Sequence, residues 1–279
     1  MMNNTHPPSP SPPCQGGGEV EGVPLLVQVD GRGVCTLTLN RPKQRNALDN
    51  TLIEALRMQL QALHQDRVIR VVVLTGQGTA FCSGADLRWL HPMSGASMAA
   101  NLADARQLAE LLAALYQLDK PIVARVNGPA YGGGLGLIAC CDIAIAAKTA
   151  NFAFTELRLG LVPAMIAPYV LAAIGTREAR RYFLSAETLS AEDGLRIGLV
   201  HELAAPEHLD EAVTRHIDAL LKAAPLASAE CKQLLRRLSP VSEDLRELTA
   251  ETFARLRVGS EAREGITAFL EKRKPSWQS

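Results

Sequence analysis

Hydrophobic and polar positions change period several times along this chain, and each change marks an element. Residues 24–40, PLLVQVDGRGVCTLTLN, alternate on either side of Asp30-Gly31, which predicts two strands joined by a tight turn. Residues 47–66, ALDNTLIEALRMQLQALHQD, carry apolar side chains at helical spacing, with Asp49 or Asn50 placed to cap the helix. Residues 69–76, IRVVVLTG, form a continuous β-branched run, the pattern of a strand buried on both faces. A loop, QGTAFCSGADL, leads to a largely helical stretch from about Ser97 to Leu118. KPIVARVNG, 120–128, is another buried strand. LGLIACCDIAIAA begins as a helix and ends as a short strand, and ANFAF, 150–154, predicts one more. From about Arg177 onward the pattern is almost entirely helical.

Buried strands alternating with helices predict an α/β core with parallel pairing. The 279 residues suffice for one large domain or two small ones with a full core. The helical last third carries several apolar faces, in LDEAVTRHIDALLKAA and AECKQLLRRL, more than one compact domain readily covers. These faces are candidates for packing on another subunit. Residues 1–23, MMNNTHPPSPSPPCQGGGEVEGV, are rich in Pro, Ser and Gly and cannot repay the entropy of ordering, so a disordered tail is expected there. The tail lacks the apolar core of a signal peptide and the basic residues of a transit peptide.

Charge narrows the partners. The 29 Lys and Arg balance the 29 Asp and Glu, so no long-range field recruits nucleic acid or anionic lipid. No apolar run reaches the roughly 18 residues needed to cross a bilayer. The six cysteines form no CxxC pair, and Cys140-Cys141 cannot chelate a metal alone; reduced thiols in a cytoplasmic protein are expected.

Two loops share one design: a buried strand runs into a small-residue turn that opens a helix. The first is VVVLTGQGTAFCSGADL, the second VARVNGPAYGGGLGL. The second opens a stretch with five glycines between Gly128 and Gly136. The first N–H groups of a helix have no intrahelical partner and carry the positive end of its dipole. Small residues at Gly84, Ala85, Gly132, Gly133 and Gly134 would let a ligand approach those groups closely. On neighbouring parallel strands, two such turns would offer N–H groups from opposite sides, the geometry of an oxyanion hole. Other glycine motifs do not fit. No lysine follows Gly134 as a P-loop requires, the last glycine of GxGxxG would fall on Leu137, and Ser83 lacks the first glycine of GxSxG. A tight turn with close helix–sheet packing is the plainer account of the glycines alone.

FCSGADL, VNGPAYGGGLGLIACCDIAIA and FAFTELRLGLVP, with RPKQRNALD near the start and AFLEKRKP at the end, resemble the enoyl-CoA hydratase/isomerase (crotonase) family over roughly residues 24–275. The resemblance implies a crotonase-like ββα spiral over 24–200 and a helical C-terminal region over 201–279 that builds a homotrimer or homohexamer. It implies an acyl-CoA substrate whose thioester oxygen meets the N–H groups of Ala85 and Gly133, with Gly84, Asp86, Leu87, Tyr131, Gly132, Gly136 and Lys272 around the substrate. No metal or redox cofactor is implied, since CoA belongs to the substrate.

Hydratases of this family typically use two glutamates, and the matching positions here are Gly136 and Glu156. The second acid is present and the first is absent. Glu156 follows a short apolar strand, so burial would raise its pKa into a useful range. One carboxylate can take a proton from water attacking C3 and return it to C2 on the same face. It can equally move a proton between C2 and C4, which is 3,2-enoyl-CoA isomerisation. The text around the site resembles the branch assigned to methylglutaconyl-CoA and isohexenylglutaconyl-CoA hydratases of leucine and acyclic terpene degradation. A branched glutaconyl-CoA is therefore the expected substrate, with Gly136 adding room and removing a charge beside the acyl chain. The alternatives are the isomerase, a non-catalytic CoA-ester-binding protein, and a hydrolase acting through Ser83, which would need an opposed histidine. Asp86 is read first as a helix cap and Asp142 as a partner of backbone amides. Tyr131 either reaches the acyl pocket or packs. Among the histidines, His91 alone lies near a site loop, and Arg88, Lys272, Arg273 and Lys274 are candidates for CoA phosphates.

Overall fold

The computed structural model describes residues 22–238 and 244–278, so the tail expected over 1–23 lies almost wholly outside the described residues. The first strands form the expected hairpin. β1 (Leu25–Val29) runs antiparallel to β2 (Val34–Leu39), and the Asp30 carboxylate accepts from the N–H groups of Arg32 and Val34 across the turn. Next comes α1 (Asn50–Gln65), capped by Asp49, whose carboxylate accepts from the Leu52 N–H at 2.9 Å. β3 (Val71–Gly76) is buried along its whole length, as its β-branched run requires. The chain continues through α2 (Leu87–Met93), α3 (Met98–Gln117), β4 (Ile122–Val126), β5 (Ala130–Tyr131), α4 (Gly133–Ala139), β6 (Ile143–Ala147) and β7 (Asn151–Ala153). A single 3-10 turn over Glu156–Leu159 precedes α5 (Ala167–Ser185), β8 (Leu189–Ser190), α6 (Ala191–Arg196) and β9 (Glu202–Ala204). Four helices close the chain: α7 (Leu209–Leu221), α8 (Pro225–Leu238), α9 (Asp244–Arg257) and α10 (Ser260–Leu270).

The main sheet has the order β1-β2-β3-β4-β6-β9, parallel everywhere except between β1 and β2. A small sheet, β5-β7-β8, stands beside it. Strand alternation sorts the buried residues onto two faces. Val72 and Leu74 join Leu56, Leu60 and Leu112 in the large core, whereas Val71, Val73, Val123 and Ile145 meet α7 through Leu209, Val213 and Ile217.

Three features depart from the reading of the pattern. The stretch before Ser97 holds a further helix, α2. The segment after Arg177 is not wholly helical, because β8 pairs with β7 and β9 extends the main sheet beside β6. Both strands are too short, at two and three residues, to impose a visible alternation. The sheet thus continues past residue 200, and the last third does not separate cleanly from the core. The apolar face of α7 is buried on its own sheet and not left for a neighbour. On α8 the surplus persists: Leu226, Leu234, Leu235 and Leu238 are all exposed. α9 lies along α3, clamped by the buried Arg257, which pairs with Asp104 at 2.6 Å and donates to both the side chain and the carbonyl of Asn101. α10 packs on α2 and on the 3-10 turn at Glu156. No helix among the described residues is long and apolar enough to cross a membrane.

Candidate active site

The two small-residue turns meet. Leu48 forms a parallel bridge to Ala85: the Leu48 N–H donates to the Gly84 carbonyl at 2.7 Å, and the Asp86 N–H to the Leu48 carbonyl at 2.8 Å. A chain paired in this way engages Gly84 and Asp86 and turns the N–H of Ala85 to the other side. Gly84 has φ +86°, and a Cβ there would stand 3.0 Å from the Tyr131 carbonyl and 3.6 Å from the Gly133 nitrogen. Only glycine combines that backbone with so close an approach. Across the gap, the Gly132 N–H is taken by the Ala153 carbonyl at 3.0 Å, leaving Gly133 as the first free N–H of α4. No hydrogen bond within the described residues uses the N–H of Ala85 or of Gly133.

Beside these two donors lies Glu156. A Cβ on Gly132, which has φ +48°, would sit 2.9 Å from Glu156 Oε1, so the carboxyl rests against bare backbone. The residue as a whole is half-buried, but Oε2 is enclosed and has no hydrogen-bond partner. Burial pushes the carboxyl up from its ordinary value of 4.5 to about 7, and a hydrogen bond from its own backbone N–H offsets only part of this. The position is fixed by neighbours: β7 leads in, and the 3-10 turn is pinned by α10, where Gly265 lies against Leu159 and Gly160 against Glu261.

These groups open onto a cavity of about 740 Å³, within the range of small-ligand sites. Gly84, Ala85, Asp86, Leu87, Tyr131, Gly132, Gly133, Glu156 and Lys272 all line it. Gly136 does not. It is buried under Ile166, whose Cβ would lie 2.9 Å from a Cβ at 136, with Leu112 Cδ2 at 3.4 Å. The room expected beside the acyl chain is therefore filled: Ile166, not the glycine, faces the cavity. Asp86 caps α2 by accepting from the Arg88 N–H at 3.1 Å, as expected. Asp142 accepts from the Ile122 N–H at 2.7 Å and pairs with the buried Lys232 at 2.6 Å. Tyr131 lines the cavity, yet its hydroxyl donates to Asn151 at 2.6 Å. Arg88 stands at the cavity with Lys272, whereas Arg273 is paired with Glu264 and Glu271 and lies off the lining. His91 is exposed beside Thr267, and among the described residues no histidine lines the cavity or stands opposite Ser83.

One residue that braces the site from outside the cavity was not picked out by the sequence. Arg41, inside RPKQRNALD, pairs with the α1 cap Asp49 at 2.8 Å and the α2 cap Asp86 at 3.0 Å, and donates to the Ala47 carbonyl. It ties both helix caps to the segment that bridges Ala85. A lone arginine near a proline carries no periodic signal; the two capping aspartates, Asp49 and Asp86, are the one sequence feature that points to a shared cation.

The enoyl-CoA hydratase/isomerase family profile matches residues 30–279 of this chain. The chain belongs to the enoyl-CoA hydratase/isomerase family. Among curated relatives, the 2,3-dehydroadipyl-CoA hydratase of Escherichia coli K12 is 34% identical over 247 residues, covering 88% of this chain and 95% of that protein. The crystal structure of an enoyl-CoA hydratase from Shewanella pealeana shares 38% identity, with a TM-score of 0.76 over 93% of this chain and 97% of that one. An enoyl-CoA hydratase structure from Mycobacterium avium subsp. paratuberculosis reaches a TM-score of 0.81 at 27% identity, over 91% and 98% of the two chains. The expected crotonase-like α/β fold is thus the fold of this family member.

Proposed function

We propose that this protein is an enoyl-CoA hydratase that adds water across the C2=C3 bond of an enoyl-CoA thioester. The observation that carries the reading is the juxtaposition of two free N–H groups, at Ala85 and Gly133, with the enclosed and unpartnered carboxyl of Glu156. The thioester oxygen sits between the two donors, where negative charge develops as C3 is attacked. Fixed donors of this kind each contribute about 2.7–4 kcal/mol to the transition state. Glu156, as carboxylate, takes a proton from water while the water oxygen bonds to C3, and the C2=C3 π electrons move onto the thioester oxygen. The resulting acid then gives that proton to C2, the thioester carbonyl re-forms, and Glu156 returns to the carboxylate. A carboxyl titrating near 7 suits both halves of this cycle. Coenzyme A enters and leaves as part of the substrate, with Arg88 and Lys272 at the cavity edge for its phosphates.

The finer assignment is a branched glutaconyl-CoA, 3-methylglutaconyl-CoA or isohexenylglutaconyl-CoA, in leucine, isovalerate or acyclic terpene breakdown. It is supported by the sequence around GGGLGLIACCDIAIAA and FTELRLGLVPAMIAPYV. A relative named for a dehydroadipyl thioester, whose acyl group also carries a second carboxylate, supports it further. Isomerisation of 3-enoyl esters is the second reading, favoured by the apolar wall that Ile166 builds where no second acid stands. Purified protein is assayed with 3-methylglutaconyl-CoA, crotonyl-CoA and a 3-enoyl-CoA. The largest kcat/KM is expected for the first, and turnover of the 3-enoyl ester alone makes the isomerase correct.

A further inference from the structure

Gly132, the N-cap of α4, and Gly136 within that helix each leave the space of a side chain to a neighbour. At Gly132 the space of a side chain is taken by the Glu156 carboxyl; at Gly136 it is taken by Ile166. A Cβ at 136 would lie well inside van der Waals contact of Ile166 Cγ2 and 2.9 Å from Ile166 Cβ. Ile166 is the N-cap of α5, its carbonyl accepts from the Val170 N–H at 3.0 Å, and it is 2% exposed. Leu112 borders the same space, its Cδ2 3.4 Å from where a Cβ at 136 would stand, and Ile166 lines the cavity together with Met165 and Val162. The proton-handling group and this branched apolar group therefore line the same cavity, each seated over a glycine of the Gly132–Gly136 stretch.

We infer that Ile166 is the specificity-determining residue of the acyl site: it plugs the space of the absent side chain at 136 and shapes the wall beside the reacting carbons. This rests on the enoyl-thioester reading above. Ile166 puts a branched apolar side chain on the cavity wall that also holds Glu156, so it governs which substituents on C3 are accepted while Glu156 does the chemistry. Adding or removing a methylene in such a pocket changes discrimination by about 10-fold to 200-fold.

The test compares kcat/KM for 3-methylcrotonyl-CoA and crotonyl-CoA in the wild type, Ile166→Val and Ile166→Ala. The ratio of branched to straight substrate is expected to rise at least about tenfold in Ile166→Ala and by less in Ile166→Val, whereas a merely structural residue would lower both substrates alike. A wild type active on these esters, with the ratio unchanged in both variants, overturns the role of Ile166 and leaves the hydratase reading standing. A wild type inert towards both esters overturns the inference, and if 3-methylglutaconyl-CoA is not hydrated either, the hydratase reading falls with it. If Ile166→Ala does not fold, Ile166→Val carries the same comparison. Thermal melting supplies a second readout: Gly136→Ala should lower Tm in the presence of Ile166, and Gly136→Ala/Ile166→Ala should recover much of the loss. Equal losses from Gly136→Ala in both backgrounds would contradict the contact on which the inference stands.

Discussion

Replacing Glu156 by glutamine removes one charge from an enclosed carboxyl and changes little else, so its consequences can be worked through. Burial raises this carboxyl from 4.5 to about 7. The folded protein therefore holds its proton more tightly than the unfolded chain, and the group's stabilisation is complete below about pH 4.5. It is lost as pH rises through about 7, above which the buried charge costs about 3 kcal/mol. Glutamine does not titrate. Urea unfolding at pH 5 and pH 8 should show Glu156→Gln gaining about 2–3 kcal/mol relative to the wild type between the two conditions. In the same variant kcat should fall by about 10²–10⁴ with binding of the CoA ester retained, the loss expected when a positioned acid–base group is removed. The wild-type kcat/KM should decline below about pH 7, where the free enzyme's carboxyl is protonated. A stability difference independent of pH would show that the carboxyl is not enclosed. Retained activity would show that Glu156 is not the base.

Other residues give further expectations. Arg41→Met strips the charge that joins the caps Asp49 and Asp86, and should cost about 3 kcal/mol in denaturant unfolding and lower kcat through the Ala85 turn. Gly132→Ala places a Cβ 2.9 Å from Glu156 Oε1, and displacing the carboxyl by about 1 Å should cost about 10²-fold in kcat while the far-UV spectrum stays that of the wild type. Gly265→Ala sets a Cβ 2.6 Å from the Leu159 carbonyl oxygen, forcing α10 off the turn that carries Glu156; a loss of about 1–3 kcal/mol and a raised KM are expected.

Much of the fold was legible because long elements declare their period. The β-branched run at Val71–Gly76 and the helical spacing after Asp49 each correspond to an element of the structure. What escaped was short or long-range. β8 and β9 are paired strands of two and three residues, held by partners far away in the chain, and no local alternation can reveal them. α7 looked unpartnered because the face of the sheet it covers is read only once strand order is known. The glycine turns were legible as places of close approach, but what approaches each was not: Glu156 at Gly132, Gly133 at Gly84, and Ile166 at Gly136, thirty residues further along. Reading Gly136 as open room failed because a missing side chain leaves space only if no neighbour fills it, and close-packed interiors fill it. Arg41 was missed for the same reason, since its two aspartates come from different helix starts.

The central claim is that one carboxylate both removes the proton from water and delivers it to C2, with the thioester oxygen held between Ala85 and Gly133. Hydration of crotonyl-CoA in D₂O tests it most directly, with the configuration at C2 and C3 of the product read by NMR. A single carboxylate on one face predicts syn addition, with one deuterium at C2 on the same side as the new C3 hydroxyl, and loss of that product in Glu156→Gln. Anti addition, or deuterium distributed over both positions at C2, would require a second proton donor and would contradict the account.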